Sequence, residues 1–131
     1  PRSSSAASDV YKRQDKNCID FLQMDICSCG GLTEAKRITA LSSTKGVKVI
    51  PHTWGSGIAF FTAINFISNL EPIPGRLYQE DAYIEYDRTE NKIRENIIKN
   101  NIVMKDGYIE VNTKPGLGID VDETYLNKVK I

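Results

Sequence analysis

A chain of 131 residues has the length of one domain, and 17 basic against 17 acidic side chains leave it formally uncharged. No basic stripe is offered to nucleic acid and no acidic tail is present; the longest apolar run, residues 57–70, is too short to span a bilayer and contains Asn65 and Ser68. Three cysteines, Cys18, Cys27 and Cys29, make an odd set with no disulfide framework, and no apolar core follows Arg2 as in a signal peptide, so a reducing, cytoplasmic setting is expected.

Residues 1–14 do not read like the rest. They are expected to be a disordered polar tail or non-native sequence, since Asp9 to Gln14 back-translates to a string resembling the transposon end used in sequencing-library preparation. Without them the remainder carries 14 basic and 16 acidic residues, a net charge of −2. From Asp15 onward the pattern is regular. Ile19 to Met24 reads as a short apolar strand ending at Asp25, and Cys27 to Gly31 as a tight loop. Residues 33–45 read as a helix, with Leu32, Ala35, Ile38 and Leu41 recurring on one face and Gly46 stopping it.

Val47 to Ile50 is a β-branched run that Pro51 ends, and His52, the single histidine, stands just beyond it. Gly55, Ser56 and Gly57 open a strongly apolar helix over 57–70, which reads as a packing helix rather than a membrane or partner helix. Pro72, Pro74 and Gly75 make a loop, and Tyr83 to Tyr86 reads as a third strand with Glu85 near its end. This order, β-α-β-α-β, predicts parallel strands joined by crossover helices.

The last third changes character. A short helix is expected over 91–99, and a hairpin joins 102–104 to 108–111 through Asp106-Gly107. Pro115 to Gly118 is a loop, and Asp122 caps a terminal helix through Lys128. Three strands and two helices do not close a barrel of roughly 250 residues. The chain therefore reads as the carboxyl-terminal piece of something larger.

Right-handed crossovers set neighbouring parallel strands about 4.8 Å apart. Asp25 and His52 then end adjacent strands, close enough for the carboxylate to accept from an imidazole nitrogen. Such a partner fixes the tautomer and gives the other nitrogen the character of a general base. Glu85 ends the next strand on the same rim. The same spacing also fits a loop or cap role for Asp25, a structural histidine and a solvated Glu85.

Asp25-Ile26-x-x-x-Gly30-Gly31-Leu32-Thr33-Glu34, Gly46-Val47-x-Val49-x-Pro51-His52 and Ile84-Glu85-Tyr86-Asp87 resemble the last three strands of the mandelate racemase/muconate lactonizing enzyme subgroup of the enolase superfamily. Pro115-Gly116-Leu117-Gly118-Ile119 resembles its closing segment. Pro51-His52-x-Trp54-Gly55-x-Gly57 and Glu85-x-Asp87-Arg88-Thr89-x-Asn91 look most like the galactarolactone cycloisomerases and related sugar-acid enzymes.

The resemblance implies an α/β fold, the carboxyl-terminal part of a modified TIM barrel, (β/α)7β. Residues 15–88 supply its last three strands, and residues 89–131 return toward a lid domain outside this chain. It implies a Mg²⁺-dependent enzyme that removes the proton α to a carboxylate of a sugar acid or its lactone, the metal stabilising the enediolate. His52 would be the base, oriented by Asp25, and Glu85 would carry a proton to the substrate's carboxylate. Imidazolium His52 would return the proton to a β-oxygen, giving dehydration or ring opening.

The metal ligands and a second, lysine-containing base belong to earlier strands, so this chain alone is expected to bind no catalytic Mg²⁺ and turn over nothing. The resemblance further implies a homo-oligomeric parent with no nucleic-acid or membrane partner. Ser28 stands where family members often carry a basic residue, which weakens any substrate contact from that loop. Trp54 is read either as a pocket wall or as core packing. Gly55-Ser56-Gly57 either presents N–H groups to a substrate anion or makes a tight turn. Cys27-x-Cys29 lacks zinc-ligand spacing, and Gly116-x-Gly118 is no dinucleotide fingerprint. The alternatives are a racemase or epimerase of a 2-hydroxy acid, a non-catalytic binding module, and an inert truncation.

Overall fold

The computed structural model describes residues 5–73, 75, 77–78, 80–100 and 102–130; Arg2 of the signal-peptide reading and Pro74 of the expected loop lie outside them. Helix α1 spans Ser5–Asp15, within the stretch whose polar composition predicts a disordered tail. Val10 and Tyr11 lean on the core, the Tyr11 hydroxyl donates to Glu34, and the buried Gln14 amide donates to the Ile38 carbonyl at 3.2 Å and to Ser42. The face they cover carries Ala35 and Ile38, side chains that gain by leaving water. Helicity speaks to conformation and leaves the non-native origin of the segment as a separate expectation.

After α1 the chain forms β1 (Phe21–Leu22), α2 (Ile26–Cys29), α3 (Gly31–Thr44), β2 (Lys48–Val49) and α4 (Gly57–Ile67). The two strands are parallel, with Phe21 opposite Lys48 and Leu22 opposite Val49. Their ladder runs on through Lys48 N–H to Asp20 O, Ile50 N–H to Leu22 O and His52 N–H to Met24 O at 3.0–3.2 Å. The β-α-β crossover is therefore formed where the alternation of apolar residues and turns predicts it. The expected loop at Cys27–Gly31 is instead a one-turn helix, α2, started by Asp25 and ended at Gly30, whose φ of +117° suits glycine. In α3 the inward stripe is Ala35 and Ile38, while Leu32 on the first turn is half exposed.

Helix α4 is apolar nearly all round because it packs on both sides. Ala63, Phe66 and Ile67 join the cluster of Leu22, Met24, Ile38 and Val49; Phe60, Phe61 and Ile64 join a second with Ile97 and Ile98. No helix of the described residues is long and apolar enough to cross a membrane.

The third strand expected at Tyr83–Tyr86 is not formed among the described residues. Backbone N–H groups alternate along a strand. Lys48, Ile50 and His52 point theirs at β1, so Pro51 and Thr53 face the other side. Pro51 has no N–H to give, and Thr53 N–H is taken by the Glu85 side chain rather than its backbone. Segment 80–86 is tied to β2 by side chains instead. Lys48 Nζ lies 2.6 Å from Glu80 and 4.1 Å from the centre of the Tyr83 ring.

Helix α5 (Lys92–Asn96) is capped by Asn91, strands β3 (Met104–Lys105) and β4 (Tyr108–Ile109) form the antiparallel hairpin, and α6 (Glu123–Val129) ends the described chain. Asp106 and Gly107 have φ of +52° and +84°, the conformation a two-residue hairpin turn of this hand demands. Asp122 accepts from Tyr125 N–H at 2.9 Å, the cap its sequence position predicts. A bridge between Ile98 and Val121 fastens this last third to α5.

Candidate active site

The register of β1 and β2, continued three residues, brings Asp25 opposite His52 at the carboxyl ends of the strands. Backbone placement thus agrees with the expected dyad, but the side chains do not meet in it. Asp25 Oδ1 accepts from Cys27 N–H at 2.8 Å and Oδ2 from the Ser28 hydroxyl at 2.7 Å. The carboxylate is turned to its own chain because α2 begins there and its first N–H groups need acceptors. Asp25 is thus the cap of α2. The Ser28 hydroxyl completes it.

His52 finds its carboxylate on the other side. Its Nδ1 lies 2.5 Å from Glu85 Oε2, and the same oxygen accepts from Thr53 N–H at 3.0 Å. The buried Thr53 hydroxyl donates to the Glu85 carbonyl, so one residue grips Glu85 by backbone and side chain. Both His52 and Glu85 are partly open to solvent, with side-chain exposures of 44% and 37%. Trp54 next to them is 68% exposed. The Gly55 carbonyl accepts from Asn91 Nδ2 at 3.1 Å, and Ser56 caps α4 through Ala59 N–H at 3.2 Å.

Thr53, which the motif reading passes over, holds Glu85, and Asn91, which closes the Glu85 motif, holds the Gly55 carbonyl. Thr53 could have been found as a small polar residue between a histidine and a tryptophan just past a buried strand. Asn91 stands one residue before a helix, a capping signal.

Beyond Glu85 the chain is locked by a charged cluster. Arg94, its side chain only 6% exposed, donates to Asp87 at 2.6 Å and to the Thr89 carbonyl. Asp87 also accepts from Thr89 N–H at 2.9 Å and from its hydroxyl. These hydrogen bonds from Thr89, helped by Arg94, hold the Asp87 carboxyl below its ordinary range. A depressed carboxyl contributes stability above its unfolded value and loses it as pH falls through the folded one. Urea midpoints are therefore expected to drop below about pH 4, and Asp87→Asn to flatten that drop. An unchanged acid limb in Asp87→Asn would remove Asp87 from this role.

Among the described residues, no three His, Cys, Asp or Glu side chains come together as a metal site. The three cysteines are free, and burial, with Asp25 nearby, pushes the Cys27 and Cys29 thiols up, away from thiolate chemistry.

The arrangement is that of the carboxyl-terminal rim of a βα barrel, with polar side chains grouped where the strands end. The chain belongs to the Enolase C-terminal domain-like family, whose model matches residues 6–125. Over 122 residues it is 32% identical to the D-galactarolactone cycloisomerase of Agrobacterium fabrum, covering 93% of this chain and 32% of that protein. It is 25% identical over 122 residues to the arabinonate dehydratase of Saccharolobus solfataricus, covering 93% of this chain and 30% of the other. The crystal structure of the 3,6-anhydro-D-galactonate cycloisomerase from Zobellia galactanivorans matches with a TM-score of 0.79 and 38% identity, over 94% of this chain and 32% of that one. The fold is thus part of the modified (β/α)7β barrel, and the chain spans about a third of the length of the relatives it matches.

Proposed function

We propose that this chain is the carboxyl-terminal part of an enzyme that takes the proton α to a carboxylate from a sugar acid or its lactone and expels a β-oxygen. Support comes from one observation above all: a half-exposed imidazole stands at the carboxyl end of a barrel strand with one ring nitrogen on a carboxylate. Relatives named as a cycloisomerase and a dehydratase of sugar acids agree with that chemistry.

In the proposed reaction the Cα–H bond breaks, and its proton goes to a bare nitrogen of His52. The electron pair left on carbon forms a C=C bond as the C–O bond at the β-carbon breaks. The imidazolium hands its proton to the departing oxygen, giving water from a hydroxyl or an opened ring from a cyclic ether or lactone. Trp54 and Gly55 are proposed to border the substrate, and the exposure of Trp54 suits a wall waiting for a ligand. A Mg²⁺ requirement is proposed for the parent, and the described residues do not present a donor set for it.

The test is to supply the full-length parent with a panel of sugar acids and their lactones in D₂O, and to follow α-hydrogen exchange and loss of the β-oxygen by NMR. Exchange with elimination on at least one member is the expected outcome, with the 131-residue chain alone inert. A parent that exchanges no α-hydrogen on any of them is not this enzyme.

A further inference from the structure

Four helices of the described chain start on a capping side chain: Asp25, Ser56, Asn91 and Asp122. Asparagine, aspartate and serine cap about equally well, so capping alone does not ask for an amide at position 91. A second contact does. Asn91 Oδ1 accepts from Arg94 N–H at 3.0 Å, while Nδ2 donates to the Gly55 carbonyl at 3.1 Å. An acceptor and a donor side by side are what an amide has, and a carboxylate cannot donate.

The carbonyl it holds belongs to a turn, 53–55, that lies in neither helix nor strand. Gly55 has a φ of +146°, and a Cβ there would meet nothing within 4 Å, so glycine answers the backbone rather than a lack of space. Thr53, at one end, is gripped by Glu85, and Gly55, at the other, by Asn91. Trp54 stands between them with most of its side chain in solvent, so the backbone on either side sets its place.

We propose that Asn91 is a positioning residue: its amide ties the turn 53–55 to α5 and so sets where Trp54 stands. This rests on the reading of Trp54 and Gly55 as the border of the substrate, and supplies what holds that border. The same side chain starts α5, whose Arg94 holds Asp87 and Thr89. Turn and charged cluster are thus fixed through one residue.

Trp54 is the only tryptophan, so indole fluorescence reports on this turn alone. The experiment compares anisotropy and acrylamide quenching of Trp54 in the 131-residue chain and three variants at neutral pH. Asn91→Ser keeps an uncharged cap, with a hydroxyl that stops one bond short of the amide nitrogen. Asn91→Asp keeps shape and cap but has no donor. Both should lower the anisotropy and raise the quenching. Ile38→Val trims the core beneath α3 and should lower the urea midpoint without moving either signal. In the parent, Asn91→Ser should raise KM about fivefold, the worth of one neutral hydrogen bond, and change kcat less, on a sugar acid or lactone of the panel that the parent turns over.

Trp54 signals that ignore both Asn91 variants, or that follow Ile38→Val as closely, overturn the proposal. Should Asn91→Ser not fold, Asn91→Asp still decides. Signals that follow Asn91 uphold the tie even where KM is unchanged or the parent exchanges no α-hydrogen; those two results count against the border reading and the enzyme reading instead.

Discussion

In the full-length parent, His52→Asn is expected to lower α-hydrogen exchange and elimination together by about 10²–10⁴-fold, the range a positioned general base supplies. Asparagine keeps the approximate shape of the imidazole and can still meet Glu85, so the strand end should be undisturbed. What it lacks is a nitrogen able to hold a proton between the carbon it came from and the oxygen it goes to. Substrate affinity should therefore change far less than turnover, because an interaction made only in the transition state lowers kcat and kcat/KM alike. The check is the rate of deuterium incorporation at the α-carbon beside a binding measurement on the same variant. Exchange that survives His52→Asn within a few-fold would take the base away from His52. Asp25→Ala removes the cap of α2 and is expected to cost about 1 kcal/mol of stability.

The backbone of this region was largely legible, and the side-chain geometry was not. Alternating apolar residues and breakers such as Gly46 and Pro51 mark the crossover of β1, α3 and β2, and that crossover alone brings Asp25 and His52 to the same level. Asp106-Gly107 and Asp122 were equally readable, since positive φ and capping are demands of single residues. The partner of His52 depended on something less local. A carboxylate at a strand end chooses between its own following N–H groups and a neighbour's side chain, and the choice turned on whether a helix begins there. Because α2 is a single turn, no periodicity announces it. The missing third strand follows the same logic: an apolar run with alternation needs a partner edge with N–H groups to give, and Pro51 withholds one. Outside the site, Phe21 is 59% exposed although it sits on β1. Successive side chains of a strand point to opposite faces of the sheet, so Leu22 takes the buried face and Phe21 the exposed one.

Gly57→Val is expected to cost the chain about 3 kcal/mol, at the upper end of what overpacking does. Gly57 is the first residue of α4 and is buried. Its backbone is ordinary helix, so the need for glycine there is one of space. A Cβ added at this position would lie 2.6 Å from the Arg94 carbonyl oxygen and 2.8 Å from Ile98 Cδ1. Ile98 can give by rotating, but the carbonyl belongs to the backbone of α5 and cannot. Helix propensity pulls the other way by under about 1 kcal/mol, less than the clash. Relief must come from α5 backing off α4, and the consequences then travel. Arg94 on α5 holds Asp87 and Thr89, two and four residues beyond Glu85, and Asn91 at its start holds Gly55. Urea unfolding should show a lower midpoint with an unchanged slope, and Gly57→Ala a smaller shift in the same direction. In the parent, the same substitution should weaken turnover without touching a single group that meets substrate. Stability kept within about 0.5 kcal/mol would mean that α4 and α5 approach less closely than their backbones indicate.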